Sequence, residues 1–351
     1  MSRIRDVASH AGVSTSTVSN VLNGRGNRMA KDTLARVQAA IAVLQYRPST
    51  TARQLKTGHT PMFGLLVPSL ANPMYGAIAR EIETLAQERH GFRLMIGNTY
   101  RDKAKEARFF DDLVAYGVRG VVIISSLVDE QHFESASDRG MVVVSYDRRL
   151  TPGVASSIDH VSVDNFEAAR LATAHLIALG HRRLAFVTAA GMTMSRREKI
   201  RGFKTAARRA GLAETARVIE GTPLSEYGDS VMSEVGRTEA AKIAHLKKSM
   251  RPTGIVAVND MMALGLMAGC REAGLDVPFD VSVVGMDDVF LAALTNPPLT
   301  TVHLPVAEMA VTIVDRMMSR LSDRSVATSE FMFQPRLVVR GSTAGPWAKT
   351  A

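Results

Sequence analysis

The amino-acid sequence predicts an α/β chain: a small three-helix head, then a large body of doubly wound parallel sheet in two lobes. Three observations carry this. Charge is concentrated at the N-terminus, where residues 1–60 hold nine Lys/Arg against Asp6 and Asp32, a local +7 out of +9 for the chain. Amphipathic helical spacing runs through the same segment. From Pro61 onward, near-continuous apolar runs alternate with helical periodicity, as parallel strands covered on both faces require.

The head is read first. In IRDVASHA, Ile4, Val7, Ala8 and Ala11 share one face. Gly12 follows at a position where a tight turn needs tolerance of positive φ. Ser14 is placed to cap a second helix, on which Val18, Val21 and Leu22 face inward. Ser16 and Asn20, four apart, point away from them, with Thr15 and Ser19 nearby. Two short helices around a Gly turn describe a helix-turn-helix whose second helix presents small polar groups, as a helix in a DNA major groove does. A helical hairpin with a merely solvated Ser/Thr face fits the same spacing. Ser and Thr are mediocre helix formers, however, and an idle exposed face more often carries Glu, Lys or Ala. The basic charge then favours DNA, with Thr15, Ser16, Ser19 and Asn20 as contacts and Arg25, Arg28 and Arg53 beside them. Leu34, Val37, Ile41 and Leu44 give a third helix, which Pro48 follows.

Nine apolar runs mark strands in the body: 62–68, 93–98, 120–125, 141–146, 160–164, 183–188, 217–221, 254–259 and 281–286. Helical stretches near 74–90, 103–116, 166–180, 197–210, 230–248, 260–273 and 305–321 separate most of them. About 280 residues exceed one such sheet, hence two lobes. Open α/β sheets bind ligands beyond the carboxyl ends of their strands, and there stand Asn98, Ser125, Asp147, Asn259, Asp260, Asp287 and Asp288. Any one of these can be a helix cap, Asp260 before MMALGLMAG especially. Their convergence suits a hydroxyl-rich solute.

Other classes are poorly supported. The chain lacks a G-x-x-x-x-G-K-[ST] loop and a G-x-S-x-G elbow, and GRGNRM lies between helices rather than after a strand, so no enzyme is expected. One cysteine, Cys270, and nine histidines without ligand spacing give no reason to expect a metal or cofactor. No apolar run approaches the ~18–20 residues of a membrane span, and MSRIRDVASH has no apolar signal core. A cytoplasmic protein without membrane contact is expected, and an exported solute receptor would leave the head unexplained.

DVASHAGVSTSTVSNVLNG and VQAAIAVLQYRPSTTARQLKTG strongly resemble the headpiece and hinge of the lactose/galactose repressor (LacI) family. NPMYGAI, VDNFEAARLATAHLIALGHRRLAFVT, VAVNDMMALG, VPFDVSVVGMDD, PPLTTVHLPVAEM and LVVRGST resemble its core. The resemblance implies a headpiece over 1–47, a hinge helix and linker over 48–59, and a body over 60–344 similar to periplasmic sugar-binding proteins. Its first lobe would comprise about 60–160 and 304–330, its second 161–303 and 331–344, with 345–351 as a tail. Leu55 would wedge a minor-groove base step. The implied effector contacts are Tyr75, Asp147, Lys199, Asn259 and Asp287, although Tyr75 equally suits a core aromatic. Two positions depart from the family pattern. Asn20 stands where Arg is common, which favours adenine over guanine. Lys199 also stands where Arg is common, with Arg196 or Arg197 near enough to take over. The expectation is a repressor bound as a homodimer to a palindromic double-stranded operator and controlled by a sugar or sugar acid. A purine effector, or an unused cleft with a protein partner, are the alternatives. The tail has no Leu heptad to make a tetramer.

Overall fold

The computed structural model describes residues 2–22, 29–46, 60–124, 131–147, 156–191, 193–222 and 229–346, in two compact units that meet between Thr60 and Pro61. In the first unit, helices α1 (Ile4–Ala11), α2 (Thr15–Leu22) and α3 (Lys31–Val43) bury Val7, Ala8, Ala11, Val18, Val37 and Ala40 at their centre. Gly12 ends α1 at φ 62°, a left-handed conformation that a side chain would strain. There the Val13 N–H donates to the Ala8 carbonyl at 3.0 Å. Ser14 caps α2 as its position requires, accepting from the Thr17 N–H at 3.2 Å. The expected hinge, 48–59, lies outside the described residues.

The body begins with β1 (Met62–Val67), α4 (Pro73–His90), β2 (Arg93–Asn98), α5 (Lys103–Ala115), β3 (Gly120–Ile124), α6 (Gln131–Asp138), β4 (Val142–Tyr146) and β5 (Asp159–Val163). It continues through α7 (Asn165–Ala178), β6 (Leu184–Ala189), α8 (Met194–Arg209), β7 (Ala216–Gly221), α9 (Asp229–Ala244), β8 (Gly254–Ala257), α10 (Asp260–Glu272), β9 (Ser282–Asp287) and β10 (Thr300–His303). It closes with α11 (Val306–Ser322), β11 (Glu330–Phe333) and β12 (Arg336–Val338). One sheet runs β11-β5-β4-β3-β1-β2 with every pairing parallel. The other runs β12-β10-β9-β8-β6-β7, with only β12 antiparallel to its neighbour. Strands β3, β4, β5, β8 and β9 are buried along their whole length, which is why they read as unbroken apolar runs.

The chain passes between the lobes three times: after β5, between β10 and α11, and between β11 and β12. Helix α11 joins the first lobe, burying Met309, Ala310, Ile313, Val314 and Met317 there. Two expected boundaries need correction. The one at 160/161 cuts β5 and the one at 330/331 cuts β11, yet both strands lie whole in the first sheet. The first lobe ends where Asp164 accepts from the Glu167 N–H at 2.9 Å and so starts α7. Helix α6 and strands β10 to β12 were not anticipated.

A buried carboxylate anchors this arrangement. Asp159 accepts from Arg316 Nε at 2.9 Å, Arg320 Nη1 at 3.1 Å and the Ser329 N–H at 3.0 Å. In the second lobe, two histidines hold the C-terminal segment. His181 Nε2 reaches the Ala344 carbonyl at 2.9 Å, its Nδ1 meets Thr253 Oγ1 at 3.0 Å, and His175 Nε2 meets Thr343 Oγ1 at 2.9 Å. Burial lowers both imidazoles below their ordinary value near 6.5.

Asp159→Ala leaves the buried Arg320 and the half-buried Arg316 without their carboxylate and should cost about 3–5 kcal/mol, read as a fall in the midpoint of chemical unfolding. The histidines set a pH dependence. The unfolded chain binds their protons first, so their contribution is complete above about pH 6.5 and declines as pH falls below it. Thermal unfolding from about pH 7 to about pH 5 should show this loss, and His175→Gln/His181→Gln should flatten it.

Candidate functional site

On the head, α2 exposes Thr15, Ser16 and Asn20, while Ser19 is half-buried. The Ser14 cap hydroxyl lies 2.7 Å from Ser16 Oγ and 2.9 Å from Thr17 Oγ1, so the first turn of this helix carries a short chain of hydroxyls. Thr15, Ser16 and Asn20 therefore lie on the solvent side, opposite buried Val18. Arg25, Arg28, Arg53 and Leu55 lie outside the described residues.

Within the body, the strand ends of both lobes meet at a cleft. The first lobe supplies Asn72, Met74, Tyr75, Arg101 and Asp147; the second supplies Thr193, Ser195, Arg196, Lys199, Met232, Val258, Asn259 and Asp287. The cavity left between them is about 50 Å³. Small-molecule pockets usually hold roughly 300–1,000 Å³, so the cleft as it stands is small for such a ligand.

Each side chain is positioned by local structure. Asn72 caps α4 by accepting from the Met74 N–H at 2.9 Å, which sets Tyr75 in the first turn. The Tyr75 hydroxyl accepts from Arg101 Nη2 at 3.5 Å. Asp147 follows β4 at φ 65° and accepts from the Asn165 amide. Burial raises the Asp147 carboxyl above its ordinary value, opposed by the Lys199 ammonium, hydrogen bonds from Asn165 and Ser195, and the Arg101 charge. Lys199 is buried and donates from Nζ to the Val258 carbonyl at 3.0 Å.

The N-terminus of α10 organises the opposite wall. Asn259, not Asp260, is its cap, accepting from the Met262 N–H at 2.9 Å. Its oxygen accepts there, and its amide carries N–H donors beside the cleft. Asp260 is fully buried and accepts from the Val289 N–H at 2.9 Å and the Thr301 hydroxyl at 2.5 Å. Burial pushes the Asp260 carboxyl up to about 6 against those two hydrogen bonds. It ties down the turn after β9, where Asp287 has φ 129° and Asp288 φ 57°. Asp288 turns away to Arg340 at 2.6 Å and His303 at 3.0 Å, while Asp287 lines the cleft.

Two family models match the chain: bacterial regulatory proteins of the lacI family over residues 3–49, and a periplasmic binding protein-like domain over 173–343. The HTH-type transcriptional regulator MalR of Streptomyces coelicolor is 36% identical, over 97% of this chain and 96% of its own. The chain belongs to the LacI family. Solved structures of LacI-family proteins are similar to this chain. The Lac repressor dimer bound to operator and the anti-inducer ONPF matches at TM-score 0.82 and 26% identity, over 98% of this chain and 99% of that one. A LacI-family regulator of Enterococcus faecium with bound ribose matches at TM-score 0.70 and 25% identity, over 81% of this chain and 99% of that one. This LacI-family chain is a DNA-binding transcriptional regulator with two mostly parallel sheets in its body.

Tyr75, Asp147, Lys199, Asn259 and Asp287 all line the cleft, but Arg197 does not. Arg197 is exposed, and the neighbouring cleft guanidinium belongs to Arg196. The reason is helical phase. Helix α8 starts at Met194 and buries Arg196, Lys199, Gly202, Phe203, Ala206 and Ala207 on one face, so Arg197 points about 100° away. Gly202 sets the depth of that face, because a Cβ there would collide with the Phe166 carbonyl. Spacing of three from Lys199 would have identified Arg196. Of the two arginines named from sequence, Arg196 is thus the one in the cleft, while Arg101, Asn72, Thr193 and Ser195 were missed. Arg101 sits beyond the end of β2, as the strand-end rule allows, whereas Asn98 does not line the cavity. Ser125 lies outside the described residues.

Proposed function

We propose that the protein is a cytoplasmic repressor that binds a palindromic operator as a homodimer and responds to a sugar or sugar acid in the cleft. The exposed polar face of α2, on a chain of the LacI family, is the observation that carries the DNA half of this reading. Thr15, Ser16, Ser19 and Asn20 meet bases and phosphates in the major groove, and Arg25, Arg28, Arg53 and Leu55 act beside them. The cleft supports the other half. Asp147 and Asp287 accept from hydroxyls, the Asn259 amide donates, and Tyr75 stacks on a ring. Ribose held by the relative from Enterococcus faecium points the same way.

Regulation follows from differential affinity. The effector must bind the operator-competent and operator-free conformations unequally, typically by 1–3 kcal/mol on the order of 5–150-fold. With a cavity of about 50 Å³, ligand occupancy is inseparable from lobe movement. Self-association is supported by Phe290 and Leu294, 69% and 74% exposed around the short 3-10 helix Phe290–Ala293. Such apolar exposure suits burial against a second copy.

Ser16→Ala and Asn20→Ala should each weaken operator binding by about 1–3 kcal/mol in gel retardation while leaving headpiece melting unchanged. Selection from a random palindromic pool should return adenine opposite Asn20, and Asn20→Arg should shift that base to guanine. Guanine selected by both proteins would remove Asn20 from base reading. Light scattering of the purified chain should give a dimer; a stable tetramer contradicts the assembly.

A further inference from the structure

We propose that Arg101 and Arg196, one from each lobe, clamp an oxyanion, so that the effector is an anionic polyol and not a neutral sugar. The proposal deepens the effector reading above and rests on it. Arg196 is only 5% exposed and lines the cavity. Its Nη1 donates to the Ala190 carbonyl at 3.0 Å and to the Gly191 carbonyl, which aims and holds the group. Its Nε is buried with no hydrogen-bond partner, and among the described residues its guanidinium makes no ion pair. A buried guanidinium is normally matched by a carboxylate, because desolvating an unmatched charge is costly.

Arg101 faces the same cavity from the other lobe. Tyr100 and Arg101 are consecutive non-glycine residues at φ 55° and 58°, a conformation that side chains resist, and the turn they make delivers Arg101 to the cleft. The two cations feel each other. Burial first, and then the Arg101 charge, bring the Arg196 guanidinium down to about 10, with Glu220 opposing. The other cleft charges are Lys199, Asp147 and Asp287, one cation against two carboxylates, and the Lys199 ammonium opposes the rise that burial gives the Asp147 carboxyl. Asp147 and Asp287 suit the hydroxyls of the ligand, and the paired guanidiniums suit its anionic end, since each offers a planar fork to carboxylate or phosphate. A neutral sugar leaves two like charges opposed across the closing lobes. An oxyanion converts that repulsion into attraction, so it favours the closed form selectively.

Inorganic phosphate, D-gluconate, a hexose phosphate and D-glucose serve as probes on the purified full-length chain, read by thermal unfolding and titration calorimetry. Phosphate should raise the Tm of the wild-type protein. Arg101→Gln and Arg196→Gln should each weaken phosphate binding by about tenfold or more, a loss of about 1.4 kcal/mol, while Arg197→Gln, on the same helix but outside the cleft, should not. Each shift is taken from the variant's own Tm, and Arg101→Gln stays informative where Arg196→Gln lowers the baseline. A larger response to gluconate identifies a sugar acid, and a larger response to the hexose phosphate identifies a sugar phosphate. The clamp is overturned by an absent phosphate effect, by an effect that survives both substitutions, or by stabilisation with glucose alone. Operator retardation separates the two levels. Operator binding without any anion response keeps the regulator and removes the clamp, whereas an anion response that needs both arginines without operator binding does the reverse.

Discussion

The end of the first lobe at which β5 starts is held by one buried carboxylate. Asp159 stands at the start of β5, the end of that strand away from the first crossing. Its two guanidinium partners, Arg316 and Arg320, lie toward the C-terminal end of α11, the helix that follows the second crossing. The Ser329 N–H that it also accepts begins the approach to β11 and the third crossing. Charge satisfaction at a single buried point thus ties β5, α11 and the segment before β11 together within the first lobe. A group with no solvent exposure cannot lose a partner without leaving charge in an apolar medium, so these segments move together or not at all.

The second lobe uses the same device for a different end. Asp260 takes a backbone N–H from the turn after β9 and a hydroxyl from β10, while its neighbour Asn259 caps α10. One helix start thereby positions a cleft donor in Asn259 and a cleft acceptor in Asp287. Cap, turn and ligand wall form one hydrogen-bonded unit. Helix α8 supplies the adjoining wall through its inner face, where Gly202 allows a close approach to α7 and fixes how deeply Lys199 and Arg196 stand.

Much of this was legible in the residues. All nine apolar runs are strands; burial on both faces leaves that pattern in the central ones, while the edge strands β2 and β7 are only partly buried. Gly12 and Ser14 were readable as turn and cap because only a few residue types meet those local demands. Strands β10, β11 and β12 escaped because three or four residues with Thr, His, Arg and Phe carry no periodicity of their own; their neighbours make them strands. Asp260 looked like a cap and is a buried tie, a difference that depends on tertiary partners 29 and 41 residues away. Arg196 was within reach of helical arithmetic. Arg101 was not, since two successive left-handed residues leave no sequence signature outside Gly and Asn.

The narrowness of the cleft has a temporal meaning. A cavity of about 50 Å³ is far below what a small molecule usually needs, so an effector of the kind proposed enters and leaves with a movement of the lobes. Residence time then belongs to the protein's own motion more than to the ligand's affinity groups. Under the proposed control, lobes that part slowly give the regulator a short memory: its state at the promoter lags behind the falling concentration of its signal.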